Sequence, residues 1–480
     1  MNGHTERIAC LLALYLAAAL GLGASSGSGD SNGAFPPEEV VLAVETGLFL
    51  DEAVQASDID VANHDGIVTL TGKVDNLLAK ERATKRAQRV KGVRAVVNRI
   101  RIDAPPVPDA ILENAVAAAM RDDPAADEYE VRVEASNGSV RLTGAVDSRA
   151  EKELAATIAG SVRGVTAVRN EIFVQPPIRR NDEEIRADIT QRLRWDVYID
   201  GGLITIAVDD AHVTLAGTVG SAAQKQRAIG DAYVEGVLSV DADDVEVSFW
   251  ARNERLRKDR YAYMTAEAIE VAVGDALRHD PRVDASDVVV NVRRREASLT
   301  GTVDSLRARR AAGETAANVV GVWSVVNALE VHPPSVPSDE TLRSKIQHRF
   351  FFDSEVSGER ITVTVDAGEV DLLGSATSQS RKERAEELAT SVEGVTKVSN
   401  YILVVPREVF AQKSDWEIQE SIESQLYWSP FVDSDEVEVT VSDGTATLTG
   451  VVDTPMERRA AEDNAREGGA AAVHNKLEIR

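Results

Sequence analysis

The sequence is poor in cysteine, in aromatic residues and in positive charge. Its 480 residues contain a single cysteine, Cys10, at the start of an N-terminal apolar run, so disulfide bonds do not hold the fold together. Aromatic residues make up only 5% of the chain, so the cores must be built from Val, Ile, Leu and Ala. The formal net charge of −26 disfavours nucleic-acid binding, which needs a basic surface, and broad attraction to anionic lipid.

Motifs for catalysis or metal binding are also missing from the sequence. The seven histidines have no metal-binding spacing, and there is no phosphate-cradling glycine loop, no G-x-S-x-G motif and no nucleophilic cysteine. Acidic pairs at Asp122-Asp123, Asp209-Asp210 and Asp243-Asp244 lack the ligand spacing of a calcium-binding EF-hand. We therefore expect a protein that is not an enzyme and that uses no metal or cofactor.

The N-terminus has the pattern of an export signal. Arg7 precedes an apolar run from Ile8 to Gly23, and a Gly/Ser-rich stretch follows. This pattern predicts a signal peptide over residues 1–26 and a flexible linker over 27–36. The run is short for a membrane span, although an uncleaved N-terminal anchor is the alternative. The expected location is the periplasm or the cell envelope.

One pattern occurs six times along the chain and defines six modules. Each copy has a Leu before a central Gly, a Lys or Arg eight residues after that Gly, and Ala after eleven and fifteen residues. The central glycines are Gly72, Gly144, Gly217, Gly301, Gly374 and Gly450. We place modules 1 to 6 at residues 37–103, 107–175, 181–249, 264–331, 337–405 and 412–480. A basic linker, residues 250–263, separates the first three modules from the last three.

The residue patterns predict the same elements in every module. Apolar residues four apart, such as Val40, Val44 and Leu48, indicate a helix face. Two alternating strands follow, joined by a tight turn, and then a capped second helix that carries the two alanines. A third strand after this helix should be parallel to the second. The fold class is therefore α+β, with tandem small modules, each a helix-strand-strand-helix-strand unit with a three-stranded mixed sheet and two helices on one face. We expect the central Gly to accommodate the second helix.

The repeated pattern resembles the BON domain, named for bacterial osmotically inducible and nodulation proteins. The resemblance rests on V-x-L-x-G-x-V, the capped helix with its alanines, G-V-x-x-V and N-x-[IL]-x-V, and it covers essentially the whole mature chain. Module 3 departs from it by lacking the Asn, and module 6 by reading Glu467-Gly468-Gly469-Ala470 after its second helix. The resemblance implies an exported envelope protein linked to osmotic stress and envelope integrity, in some members with phospholipid contact, and it implies no catalytic residues.

The cation eight residues after each central Gly is the first candidate site. It lies one turn inside the second helix, where free backbone amides and the helix dipole favour anions. Cap and cation together could hold a phospholipid headgroup. Alternatively, the cation borders the alanine stripe and lays its methylenes along the sheet. The six residues are Lys80, Lys152, Lys225, Arg309, Lys382 and Arg458.

The aromatic ends of three first helices are the second candidate site. They comprise Trp195 in module 3, Phe351 and Phe352 in module 5, and Tyr427 and Trp428 in module 6. Such a group could enter a membrane interface or contact a partner. The alternative is packing against their own core or a neighbouring module.

Two functions are consistent with these features. The first is a noncatalytic exported scaffold that supports the envelope by binding phospholipid or envelope proteins. The second is a periplasmic protein-binding, chaperone-like module without a membrane role. No nucleic acid is expected as a partner.

Overall fold

A computed structural model describes residues 35–479, except 52, 55, 124–130, 176–179, 253–263, 281 and 406–413. The predicted signal peptide, most of the 27–36 linker and most of the basic linker lie outside the described residues. In the part of the chain that is described, no helix combines the length and the apolar character needed to span a bilayer.

Each module has the predicted order of helices and strands. The first helices, in module order, are Pro37–Leu50, Asp109–Arg121, Asp182–Trp195, Ala266–Arg278, Asp339–Phe352 and Asp415–Trp428. The second helices are Leu77–Gln88, Arg149–Ser161, Ala222–Ala232, Leu306–Ala317, Gln379–Thr390 and Pro455–Glu467. The first strands are Ile59–His64, Arg132–Ser136, Ile204–Asp209, Val288–Arg293, Arg360–Asp366 and Val437–Ser442. The second strands are Ile67–Val74, Ser139–Thr143 with Ala145–Val146, His212–Val219, Glu296–Val303, Glu369–Ala376 and Thr445–Val452.

The third strand is continuous only in module 5 among the described residues. There it runs from Lys397 to Val404. In the other modules it consists of two short pieces. They are Ala95–Asn98 and Arg101–Ile102 in module 1, Ala167–Asn170 and Phe173–Val174 in module 2, Ser239–Asp241 and Val245–Val247 in module 3, Ser324–Asn327 and Glu330–Val331 in module 4, and Ala472–Asn475 and Glu478–Ile479 in module 6. Modules 3 and 6 form this strand despite their departures from the repeated pattern.

The sheet topology confirms the predicted α+β fold class. In each module the second strand is central, antiparallel to the first strand and parallel to the third. Val61 pairs with Leu70, and Leu70 pairs with Asn98 on its other side. The helix alanines are fully buried in all six modules, as at Ala83 and Ala87. They let the second helix pack closely on the sheet, because a small side chain shortens the distance between backbones.

The partner of the central Gly differs from the prediction. A Cβ built on Gly374 would lie 2.0 Å from the carbonyl oxygen of Arg360, at the start of the first strand, and Gly72 meets the carbonyl of Asp58 in the same way. Both glycines also have positive φ, +119° and +122°. The Gly therefore accommodates the backbone of the neighbouring strand rather than the second helix, since a side chain would displace that carbonyl.

The first three modules close into a ring through the starts of their second helices. Leu77 of module 1 packs on the core of module 2. Arg149 of module 2 lies over the ring of Tyr233 in module 3, 5.2 Å from its centroid. Ala222 of module 3 enters the core of module 1. Modules 1 to 3 form the N-terminal half of the protein.

The C-terminal half, modules 4 to 6, is built in a similar way. Leu306 of module 4 enters the core of module 5. Met456 of module 6 packs against Val320 of module 4 and Val197 of module 3. This last cluster joins the two halves.

Candidate functional site

The cation eight residues after the central Gly joins the second helix to the third strand. The ammonium of Lys152 donates to the carbonyl oxygen of Ile172 at 2.6 Å, and that of Lys225 to the carbonyl of Val245 at 2.8 Å. The guanidinium of Arg309 reaches the carbonyl of Asn327 at 3.4 Å. Burial, assisted by the positive charge of Arg149, lowers the pKa of Lys152. In these three modules the charged end of the cation is therefore bound to the third strand, and anion binding stays a prediction.

The backbone carbonyl of the cation residue also binds the third strand. The side-chain amides of Asn98, Asn400 and Asn475 donate to the carbonyl oxygens of Lys80, Lys382 and Arg458, at 2.8, 3.0 and 2.8 Å. The amide oxygen of each Asn accepts a bond from the backbone N–H two residues later. The Asn therefore fastens the third strand to the second helix in these modules. The six cations lie one per module, each beside its own third strand.

The predicted aromatic residues lie at junctions between modules of opposite halves. The carbonyl oxygen of Trp428 accepts a bond from the N–H of Lys91 at 3.0 Å, joining module 6 to module 1. Phe352 accepts from Arg163 at 2.6 Å, joining module 5 to module 2. Trp195 accepts from Val320 at 2.9 Å, joining module 3 to module 4.

The side chains at these junctions pack on the opposite module. Trp428 packs on the core of module 1 and against the ring of Phe35, with centroids 5.6 Å apart. Phe352 packs on the core of module 2, and Trp195 on the core of module 4. Packing on a neighbouring module is one of the alternatives that the sequence left open for these residues.

The two adjoining aromatic residues are half exposed beside a cation. Tyr427 lies under Lys91, whose Nζ is 5.2 Å from the ring centroid, and Phe351 lies 5.1 Å from the guanidinium carbon of Arg163. Cations at this distance attract the face of the ring. Both contacts again join modules 1 and 6 and modules 2 and 5. Membrane contact by these rings stays a prediction.

Module pairing is therefore nested: module 1 pairs with 6, 2 with 5 and 3 with 4. Two isolated antiparallel bridges lie at these junctions, between Val162 and Asp353 and between Asp196 and Val319. The bridges occupy equivalent positions in their modules. The two halves of the chain thus face each other across three similar junctions.

A buried Asp at the end of the first helix forms ion pairs that were not predicted from the sequence. Asp353 is 3% exposed and accepts bonds from the guanidinium of Arg384 at 2.8 and 3.0 Å. Asp196 is paired with Arg227 at 2.5 Å. An Arg directly before the first alanine of the second helix would have been the sequence signal in these two modules.

In module 2 the equivalent Asp is bound by arginines of the other half. Asp123 pairs with Arg307 of module 4, and the guanidinium of Arg349 in module 5 lies 3.9 Å away. Arg349 also donates to the carbonyl of Ala119 at 2.8 Å. Burial lowers the pKa of Arg349, and the neighbouring guanidinium groups add to this effect. A junction of three modules is thus held by charge pairs withdrawn from solvent.

Module 3 contains a second buried carboxyl beside its Asp. Burial, assisted by the negative charge of Asp196 and opposed by Arg192, raises the pKa of Asp231 to about 8. The Nε of Arg192 lies 3.4 Å from Oδ1 of Asp231.

A chamber of about 1350 Å³ lies between the halves. Side chains of both charges from modules 1, 3, 5 and 6 line it, including Arg86, Arg227, Glu383 and Glu467. Several are paired across modules, as Arg86 is with Glu467. Among the residues described, no group of three or more His, Cys, Asp or Glu side chains could hold a metal ion.

The outer sheet face of module 5 is unusually apolar. We call this surface, formed by Leu373, Tyr401, Leu403 and Val405, the module 5 face. These residues are 42%, 61%, 69% and 57% exposed, and Leu373 pairs with Tyr401 across the strands. The position of Leu373 is occupied in other modules by Thr71, Thr143, Ala216, Thr300 and Thr449. Lys476 and Glu478 replace Tyr401 and Leu403 in module 6.

Three curated proteins resemble parts of the chain. Osmotically-inducible protein Y of Escherichia coli (strain K12) is 30% identical over 148 residues, which are 29% of this chain and 74% of that protein. Outer membrane lipoprotein DolP of Haemophilus influenzae is 28% identical over 163 residues, 33% of this chain and 84% of that protein. The 21 kDa hemolysin of Actinobacillus pleuropneumoniae is 33% identical over 130 residues, 27% of this chain and 66% of that protein.

A solved structure and a family profile complete the comparison. The type III secretion protein CdsD of Chlamydia trachomatis aligns with a TM-score of 0.13 and 14% identity over 43% of this chain and 90% of that chain, which is too low to support an argument. The profile described as BON domain matches six segments, residues 42–104, 108–176, 181–248, 265–333, 338–406 and 414–480. The protein therefore belongs to the BON domain family, with six tandem copies of the domain.

Proposed function

We propose that the protein is a noncatalytic, exported scaffold of the cell envelope that acts in osmotic stress or envelope integrity by contacting phospholipid or another envelope component. Relatives named as osmotically inducible and as an outer membrane lipoprotein support this role. The apolar segment from Ile8 to Gly23 supports export. Lys152, Lys225 and Arg309 are hydrogen-bonded within their modules, and Trp195, Phe352 and Trp428 pack at junctions between modules. We therefore place the contact on the module 5 face.

The observation that carries the proposal is the module 5 face. Four large apolar side chains lie together there on a chain with a formal net charge of −26. The strands of the other modules expose fewer large apolar side chains, among them Phe173, Val289 and Val326. A contiguous exposed apolar patch on a soluble body marks a contact surface.

The charges beside this face influence which lipid or protein surface it can bind. Glu369 and Asp371 are exposed on the same side of the sheet, and Glu369 is paired with Lys397 at 2.8 Å. Together with the net charge of −26, they oppose close approach to anionic lipid. We therefore expect binding to zwitterionic phospholipid or to an envelope protein to exceed binding to anionic vesicles.

Vesicle flotation tests the lipid contact. The mature protein is mixed at low salt with phosphatidylcholine vesicles and, separately, with vesicles containing phosphatidylglycerol. Leu403→Glu places a charge in the module 5 face and should reduce flotation at least about fivefold. Thr449→Glu adds the same charge to the outer sheet of module 6 and should leave flotation unchanged. Absence of flotation for the unmodified protein on both vesicles would reject the lipid contact.

The competing function, a protein-binding module without a membrane role, predicts a different pair of results. The protein would not float, but it would suppress aggregation of an unfolded client, and Leu403→Glu would weaken that suppression. The exposed edge of the Lys397–Val404 strand favours this second candidate, because an unpaired strand edge can bind an extended segment.

A further inference from the structure

A small cavity lies where modules 2, 4 and 5 meet. Its volume is about 60 Å³, and its lining includes Arg307, Arg349 and Arg384 together with Asp123 and Asp353. About 10–15 Å³ of such space is enough for one water molecule, so the cavity can hold a small ion or a few waters. None of the described lining residues belongs to the module 5 face.

The arginines around this cavity outnumber the buried carboxylates. Arg307 pairs with Asp123, and Arg384 donates to Asp353 at 2.8 and 3.0 Å. Arg349 is the third guanidinium, and it lies 3.9 Å from the carboxylate of Asp123 that Arg307 already binds. The side chain of Arg349 is only 7% exposed. A buried charge without a counterion of its own is costly.

The remaining carboxylate of the lining does not compensate Arg349. Glu387 accepts a bond from Arg384 at 2.8 Å, and its side chain is 64% exposed. It also lines the chamber between the halves, where water screens its charge. Among the lining residues that the structure describes, three guanidinium groups and two carboxylates are therefore largely withdrawn from solvent.

One nitrogen of Arg349 has no hydrogen-bond partner in the described part of the chain. The two terminal nitrogens donate to the hydroxyl of Ser391 and to the carbonyl oxygen of Ala119, the latter at 2.8 Å. The Nε is buried and bonds to none of the residues described. A buried donor needs an acceptor, and a molecule or ion in the cavity that Arg349 lines can supply one.

Module 3 shows which kind of group belongs beside this nitrogen. Its equivalent arginine, Arg192, stands four residues before the Asp at the end of the first helix, as Arg349 does. The Nε of Arg192 lies 3.4 Å from a carboxyl oxygen of Asp231, directly before the second alanine of the second helix. In module 5 that position is Leu388, which lines the cavity. Module 5 thus keeps the arginine and has no carboxyl group at the matching position.

We propose that this cavity is a binding site for a small monovalent anion such as chloride, which accepts a hydrogen bond from the Nε of Arg349. The ion takes the place that the carboxyl of Asp231 has in module 3, and it neutralises the third guanidinium. Because Asp123, Arg307 and Arg349 come from modules 2, 4 and 5, the ion joins three modules and both halves. The stability of this junction then depends on the anions around the protein, a property beyond the proposed contact with the envelope.

Thermal unfolding of the full chain in sodium chloride and in sodium gluconate of equal ionic strength tests the site. Gluconate is too large for the cavity, and general effects of the two salts act on every variant alike. Arg349→Gln removes the charge and introduces the residue that module 6 has at this position, Gln425. We expect chloride, relative to gluconate, to raise the unfolding temperature of the unmodified protein by about 1–3 °C more than that of Arg349→Gln.

Arg343→Gln is the matched control for this comparison. It makes the same change on the same helix at an exposed side chain, and it should respond to chloride as the unmodified protein does. Equal responses of all three proteins would overturn the proposal.

Leu388→Asp tests the site a second way and serves if Arg349→Gln does not fold. It gives module 5 the carboxyl that module 3 has, so this group takes the place of the ion and the specific response to chloride should be lost. A response retained in Leu388→Asp would contradict the proposal.

Crystals of the full chain grown in bromide locate the ion by its anomalous scattering, and we expect a peak beside the Nε of Arg349. Water alone in the cavity would overturn the proposal. A bromide peak without any specific response to chloride in solution would also overturn it, because the ion would then bind only at crystal concentration.

Discussion

At the scale of single residues, the central Gly of each module is the least replaceable position. Its positive φ and the carbonyl beside it leave no room for a side chain. We expect Gly374→Ala to destabilise module 5 by about 3 kcal/mol or more, because strain of the backbone adds to the clash with Arg360. Urea unfolding measures the loss. Gly358→Ala in the same module is the control, since a Cβ there meets no atom within 4 Å.

Asp231 makes stability depend on pH. Its pKa of about 8 in the folded protein lies above that of an unfolded Asp, 3.8. The folded state therefore binds more protons between these values, and stability falls as the pH rises from about 4 to about 8. Asp231→Asn should raise the unfolding temperature at pH 8.5 by about 2 °C or more and change it little at pH 4.

Differential scanning calorimetry at the two pH values checks this expectation. Asp209→Asn, an exposed change in the same module, should leave the pH dependence as it is. A gain for Asp231→Asn of equal size at both pH values would mean that the carboxyl does not titrate in this range.

At the scale of elements, Asn400 fastens the third strand of module 5 to the second helix. Asn400 donates to the carbonyl of Lys382 and to the carboxylate of Glu386, and it accepts from the N–H of Ile402. We expect Asn400→Ala to cost about 1–3 kcal/mol, because the carbonyl and the N–H lose their partner. Asn291→Ala, on an exposed strand position, should cost less than about 0.5 kcal/mol. Equal losses in urea unfolding would show that the Asn bonds contribute little.

The elements themselves could be predicted because their signals are local. Apolar residues four apart, alternating strands and caps such as Ser378 define helices and strands within a few residues of sequence. The predicted contact of the central Gly with the second helix was wrong. The sequence shows that a Gly is needed there, but it does not show whether the reason is a positive φ, the first strand or the second helix. The Asp–Arg pairs were missed for a similar reason: Asp353 and Arg384 are distant in sequence and meet only in the folded module.

At the scale of the whole molecule, charge pairs between modules hold the halves together. Arg82 of module 1 donates to both carboxylate oxygens of Glu355 in module 5, at 2.9 and 3.2 Å. The Glu355 side chain is 1% exposed, and burial raises its pKa although Arg82 lowers it. We expect Arg82→Ala to cost about 3 kcal/mol at pH 8, because it leaves a buried charge without its partner.

The loss should be smaller at pH 4. Without Arg82 the pKa of Glu355 rises further, so the folded state keeps its proton and avoids the charge at low pH. Guanidinium unfolding at both pH values measures the difference. Adding Glu355→Gln to Arg82→Ala should recover most of the stability at pH 8. An Arg82→Ala loss independent of pH would contradict this account.

The arrangement of modules could not be derived from the sequence, although its determinants are present there. The aromatic ends at Trp195, Phe352 and Trp428 were candidates for neighbouring modules as well as for membranes, and nothing local distinguishes these environments. Selection of partners depends on surfaces more than 100 residues apart, as between Asp196 and Val319.

Nested pairing also implies an order of assembly. Modules 3 and 4 are joined by the shortest chain, and once they are paired the ends of modules 2 and 5 are brought close, followed by those of modules 1 and 6. Each closure then costs little entropy beyond the previous one. During export the N-terminal half would emerge first, with its docking surfaces uncovered until the last module arrives. That interval is when the protein would be most exposed to aggregation and to capture by chaperones.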